Sequence, residues 1–106
     1  MAFSIHTEQS DNVVTMVLAG ELDAAAAAEF RAAVDRAAAM APARLVLTMH
    51  DLTFMASAGL RVLVFAKQKM GASVDLYIVG AHDAVKETIT MTGFDQSVDM
   101  VDSYDE

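Results

Sequence analysis

Residues 51–70, DLTFMASAGLRVLVFAKQKM, join a turn of small residues to the most strongly helical stretch of the chain, and they constrain the fold more than any other segment. Ser57 stands at the join. As an N-cap, its hydroxyl would accept a hydrogen bond from a free backbone N–H of the first turn, while Gly59 relieves crowding there. A serine held in that way is exposed, oriented and chemically addressable. At about 100° per residue, Leu60, Leu63, Ala66 and Met70 fall on one side of the helix, and Arg61, Phe65 and Gln68 fall near Ser57. The pattern predicts a core face and a serine face. Phe65, an aromatic on a polar stripe, is either covered by another part of the fold or offered to a partner.

With 106 residues the chain makes one domain, 1–106, long enough to bury most of its unfolded surface without disulfides or metal. A hydrophobic content of 55% excludes disorder except at the ends, and 8 methionines with few aromatics point to a core of small, adaptable side chains. The net charge of -8 makes nucleic acid and anionic membrane surfaces poor partners, because phosphate binding relies on Lys and Arg clusters. A basic protein partner fits better. The absence of cysteine removes thiolate chemistry and cysteine-ligated zinc and agrees with a reducing, cytoplasmic setting. The opening MAFSIHTEQ lacks the basic start and apolar run of a secretory signal, and no run of about eighteen apolar residues is present to span a bilayer.

Residues 3–8 alternate as an exposed edge strand, residues 10–12 make a turn, and residues 13–19 (VVTMVLA) read as a strand covered on both faces or nearly so. The two strands are expected to form a hairpin. Asp23 is placed to cap a helix over residues 24–41, in which Phe30, Val34 and Ala37 recur at helical spacing. Residues 44–48 form a strand, 51–56 a connection into the helix that begins at Ser57, and 73–79 the next strand after Gly71. A short helix over 83–92, closed by Gly93, leads to a weak strand at 98–101 and an acidic tail over 102–106 that is expected to fray. The predicted order is β-β-α-β-α-β-α-β, an α/β fold with a mixed, mostly parallel sheet. Right-handed crossovers place helix N-termini beyond the carboxyl ends of the preceding strands, so Asp23 and Ser57 belong on one edge of the sheet.

The segment LVLTMHDLTFMASAGLRVLVFAKQ, with GELD at residues 20–23 and AVKETITMTGFDQ at 84–96, resembles the STAS domain of bacterial anti-sigma factor antagonists. The resemblance implies a non-enzymatic protein switch. The unmodified antagonist of that family binds a kinase-type anti-sigma factor and releases a sigma factor. Phosphorylation breaks the complex, and a PP2C-type phosphatase restores it. Carried over by position, the phosphoacceptor is Ser57, the turn glycine is Gly59, and the acidic loop residue is Asp23. Glu21, Ala56, Ala58, Arg61 and Phe65 surround them as the partner-binding set. The chain departs from the family at Ala56, where signalling members carry Asp, and at Ala58, where many carry a second hydroxyl. Ala58 leaves Ser57 as the one modifiable hydroxyl of the turn; Ala56 keeps open an alternative in which the chain is an unmodified adaptor subunit of a lipid-transport or sensory complex.

Other chemistries have less behind them. MASAG lacks the first glycine of a G-x-S-x-G nucleophile elbow, and a serine hydrolase using Ser57 would have only His82, after Asp75, as a downstream histidine. His6, His50 and His82 show no metal-ligand spacing, and the glycines are too dispersed for a phosphate loop, so neither metal nor cofactor is expected.

Overall fold

The expected hairpin opens the chain: β1 (Ser4–Ser10) runs antiparallel to β2 (Val13–Leu22) across Asp11 and Asn12. Asp11, the first of these two, has φ 54°, the sign that lets a two-residue turn follow the twist of its strands. The computed structural model describes residues 3–103; Tyr104, Asp105 and Glu106 of the expected frayed tail lie outside them. After the hairpin come α1 (Ala24–Ala39), β3 (Arg44–Met55), α2 (Ser57–Met70), β4 (Asp75–Val79) and α3 (Asp83–Met91). A 3-10 turn (Phe94–Ser97) and β5 (Asp99–Val101) close the described chain. The element order is the predicted one.

Sheet order follows chain order, β1-β2-β3-β4-β5, and every pair after the first is parallel. When successive strands step in one direction through right-handed crossovers, every crossover helix falls on the same face. Val14, Met16, Leu18 and Leu22 of β2 pack there with Phe30 and Val34 of α1, Leu63 and Ala66 of α2, and Val85 and Ile89 of α3. Among the described residues, the opposite face carries no helix. β2 is therefore buried on alternate residues, with Val13, Thr15, Val17 and Ala19 only half-covered, rather than enclosed on both faces as expected. Val46 and Val79 are buried outside the helix-side core and line, with Thr15, Thr48 and His50, an open concavity of about 480 Å³.

The largest departure from expectation is the length of β3. Residues 51–55, expected as a connection, continue the strand beside β2 as far as Met55. Two register shifts on this pair insert extra residues into β3, so Met49, Leu52 and Met55 are buried at intervals of three. Bulges destroy the period-two signal by which strands are recognised. α1 ends at Ala39, before the expected Ala41, because Ala41 turns the chain with φ 50° and the residue before Pro42 is disfavoured in the α region. β4 starts at Asp75, since Val74 N–H closes a turn onto the Gly71 carbonyl.

Candidate functional site

The long β2–β3 pair carries two loops to one edge of the sheet. The first is the tip at Glu21, Leu22 and Asp23, where Asp23 Oδ1 accepts the Ala26 N–H at 2.9 Å and caps α1 as expected. The second is the turn into α2. Here the structure corrects the expected cap: Ala56, with φ -77° and ψ 165°, is the N-cap, and Ser57 is the first residue of the helix. The shift has a tertiary cause. Ala56 N–H donates to the Leu22 carbonyl at 2.9 Å, which holds Ala56 in extended backbone and delays the helix by one residue. Ala56 has no side-chain oxygen, so α2 starts without a side-chain cap. Ser57 is exposed and its hydroxyl is not used as the cap.

Gly59 explains how the two loops are joined. A Cβ on this residue would lie 2.7 Å from Leu22 Cγ, 2.8 Å from Leu22 Cδ2 and 3.2 Å from Met55 Cγ. The first turn of α2 thus rests on the buried side chain of the acidic tip, a distance only glycine permits. Thr53 Oγ1 adds a hydrogen bond to the Gly20 carbonyl at 3.1 Å. Asp23 and Ser57 therefore occupy one rigid edge through Leu22.

Arg61 is exposed one turn after Ser57 and, with Arg31, lines a cleft of about 220 Å³ between α1 and α2 whose other walls are Ala27, Ala28, Ala58 and Val62. The two arginines that line this alanine-rich cleft make it a local cationic patch on an acidic protein. Phe65 is half-buried, and the Arg31 guanidinium lies over its ring, 4.1 Å from the centroid. Of its two expected situations the structure shows the covered one, with the exposed Arg31 lying over it. Sequence reasoning missed Arg31 because the pairing crosses two helices. It also missed Phe54, 48% exposed and in register with Glu21 at the end of β3. An aromatic two residues before an exposed turn of small residues was the available signal, hidden by the reading of this segment as loop.

The remaining candidates are not drawn into the edge. His82 Nε2–H donates to the His50 carbonyl, and His50 precedes Ser57 by most of the β3 extension, about 20 Å of strand. The imidazole that a hydrolase would need is therefore engaged elsewhere. Among the described residues, no cluster of His, Cys, Asp or Glu could hold a metal ion, and no helix is long and apolar enough to cross a membrane.

A single α/β sheet with helices on one face and an exposed serine opening a central helix defines a class of small α/β domain. The STAS domain family matches residues 4–106, and the chain belongs to that family. It is 25% identical to the anti-sigma-F factor antagonist RsfB of Mycobacterium tuberculosis over 91% of this chain and 79% of that protein. An anti-sigma factor antagonist from Mycobacterium paratuberculosis superposes with a TM-score of 0.89 at 24% identity, covering 96% of this chain and 87% of the other. The Bacillus cell fate determinant SpoIIAA in its phosphorylated form gives 0.71 at 19% identity, covering 93% and 90%.

Proposed function

We propose that the protein is an anti-sigma factor antagonist that binds a kinase-type anti-sigma factor through the Asp23–Ser57 edge and is released when Ser57 is phosphorylated. The observation that carries this reading is an exposed serine on the first residue of an uncapped helix, locked through Leu22 and Gly59 to an exposed acidic tip. In the bound state the partner covers Ser57, Glu21, Asp23 and the rim formed by Ala56 and Ala58. Phe54 supplies an apolar contact, and Arg61 with Arg31 receives acidic side chains.

Phosphorylation at this position does not unfold the domain. The free N–H groups of the first turn and the helix dipole favour an added charge of about -1.5 to -2. Arg61, four residues on, also lies within reach of the phosphate as a helical i, i+4 partner. The modification thus brings charge into the interface and withdraws a cation from it. Leaving such a charge unpaired in a closed interface costs several kcal/mol. A PP2C-type phosphatase resets the protein.

Ala56 favours one other reading, the unmodified STAS adaptor. Asp at this N-cap would satisfy first-turn N–H groups, and a kinase that grips that carboxylate would not grip alanine. Incubation with the cognate anti-sigma factor kinase and ATP, followed by mass spectrometry of wild type and Ser57→Ala, separates the two. The switch predicts one phosphate on the wild type, none on the variant, and loss of kinase binding after modification. An unmodified wild type overturns the switch and leaves the adaptor.

A further inference from the structure

Among the described residues, the outer edge of β1 is the least protected edge of the sheet. Chains that expose a strand edge ordinarily blunt it with proline, lysine, a bulge, a covering segment or shortness. β5, at the other side of the sheet, is only 3 residues long. β1 has 7 residues, SIHTEQS, in unbroken register with β2 and exposed throughout except for half-buried Ile5. It contains neither proline nor lysine.

Which backbone groups this edge offers follows from the bonds of β2. The carbonyls of Asn12 and Leu22 bond toward β3, to the N–H groups of Ala43 and Arg44 and of Ala56. Even-numbered residues of β2 therefore face β3, and odd-numbered ones face β1. Val13, Thr15, Val17 and Ala19 stand opposite Ser10, Glu8, His6 and Ser4, which are consequently the inward-bonding residues of β1. Ile5, Thr7 and Gln9 point their N–H and C=O groups outward, away from the sheet.

We infer that this edge pairs with a second copy of the chain, antiparallel and centred on Thr7. In that register Thr7 faces Thr7 and Ile5 faces Gln9 on either side, so every outward amide and carbonyl of the three residues is bonded. His6 of each copy then stands opposite Glu8 of the other, in the closer, non-hydrogen-bonded type of pair, on the helix-free face. Both side chains are available, being 72% and 69% exposed and 3.9 Å apart within one copy. The imidazole N–H can donate to the carboxylate. The neighbouring symmetric registers keep the bonding phase but are worse in charge and in overlap: sliding one way sets His6 against His6 and Gln9 opposite Phe3, outside the partner's β1, and sliding the other sets Glu8 against Glu8 and Ile5 opposite Asp11 of the turn. Charge complementarity and strand overlap thus select the same alignment.

The product is a continuous sheet with all helices on one side. Because the two β1 strands pair antiparallel to each other, the two-fold axis reverses every strand of the second copy and sends the two Ser57 edges to opposite ends. Dimerisation leaves both available, and one dimer holds two independent partner sites.

Sedimentation velocity of the full chain from micromolar to millimolar concentration tests the inference. Wild type is expected to show a reversible monomer–dimer equilibrium. Thr7→Pro removes one outward N–H and no inward bond, so it should remain folded by circular dichroism and be monomeric. Glu8→Lys should weaken association about tenfold, the scale of two cross-strand pairs turned unfavourable, and His6→Glu with Glu8→Lys should restore it. A wild type that stays monomeric at millimolar concentration overturns the proposal, including one that captures a strand of another protein instead. Equally damaging are dimers that survive Thr7→Pro, or an association weakened by Glu8→Lys that the double exchange does not recover. If Thr7→Pro fails to fold, the two charge variants decide the question.

Discussion

Replacing Gly59 with alanine adds a single methyl group at the point where the acidic tip meets the serine helix. Its carbon would stand 2.7 Å from Leu22 Cγ and 2.8 Å from Cδ2, where carbon atoms at rest lie about 3.5–4.0 Å apart. Leu22 has no exposed surface, so its side chain has no solvent to swing into. Relief requires α2 to lift by about 1 Å, and that displacement strains the 2.9 Å bond from Ala56 N–H to the Leu22 carbonyl. Overpacking of this kind costs about 1–3 kcal/mol, and alanine in a helix recovers about 0.5–1 kcal/mol relative to glycine. The expected net loss is about 1–2 kcal/mol, read as a shift in urea midpoint at unchanged slope. The decisive comparison is the same change in a Leu22→Ala background. There the vacated volume accepts the methyl, and Gly59→Ala should be neutral or stabilising, an interaction term of about 1–2 kcal/mol. Equal losses in both backgrounds would refute the claim that Leu22 is what Gly59 makes room for.

Ala56→Asp supplies the missing cap and should raise stability by about 0.5–2 kcal/mol in urea denaturation; no gain would mean that the first-turn N–H groups already have partners. Arg61→Glu should lower affinity for the anti-sigma factor about tenfold in calorimetry, with stability changed by less than about 0.5 kcal/mol, as for an exposed residue. Phe54→Ala should likewise weaken binding more than folding, whereas Phe65→Ala should lower stability by about 1–3 kcal/mol because its half-buried ring is packed beneath Arg31. If Phe54→Ala leaves partner affinity unchanged, that exposed aromatic is not part of the interface.

What the chain declares locally is the run of elements. Phe30 and Val34 at helical spacing mark α1 despite its alanine content, Asp23 marks its start, and Gly71 and Gly93 mark two helix ends. The crossover rule then brings Asp23 and Ser57 to one edge without any knowledge of side-chain contacts. The family resemblance rests on the same short-range motifs, and the match over residues 4–106 agrees with it.

Tertiary structure decided everything that depends on contact between distant segments. Ala56 became the cap residue because Leu22, thirty-four positions earlier, holds its N–H. Residues 51–55 became strand because β2 lies beside them, although bulges had erased their alternation. Phe65 was covered by an arginine from another helix, and Phe54 was left exposed. Residue type and spacing determine which local conformations are available to this chain. Which of them is adopted at the Ser57 edge, and which groups it leaves uncovered, is set by the packing of that edge against Leu22.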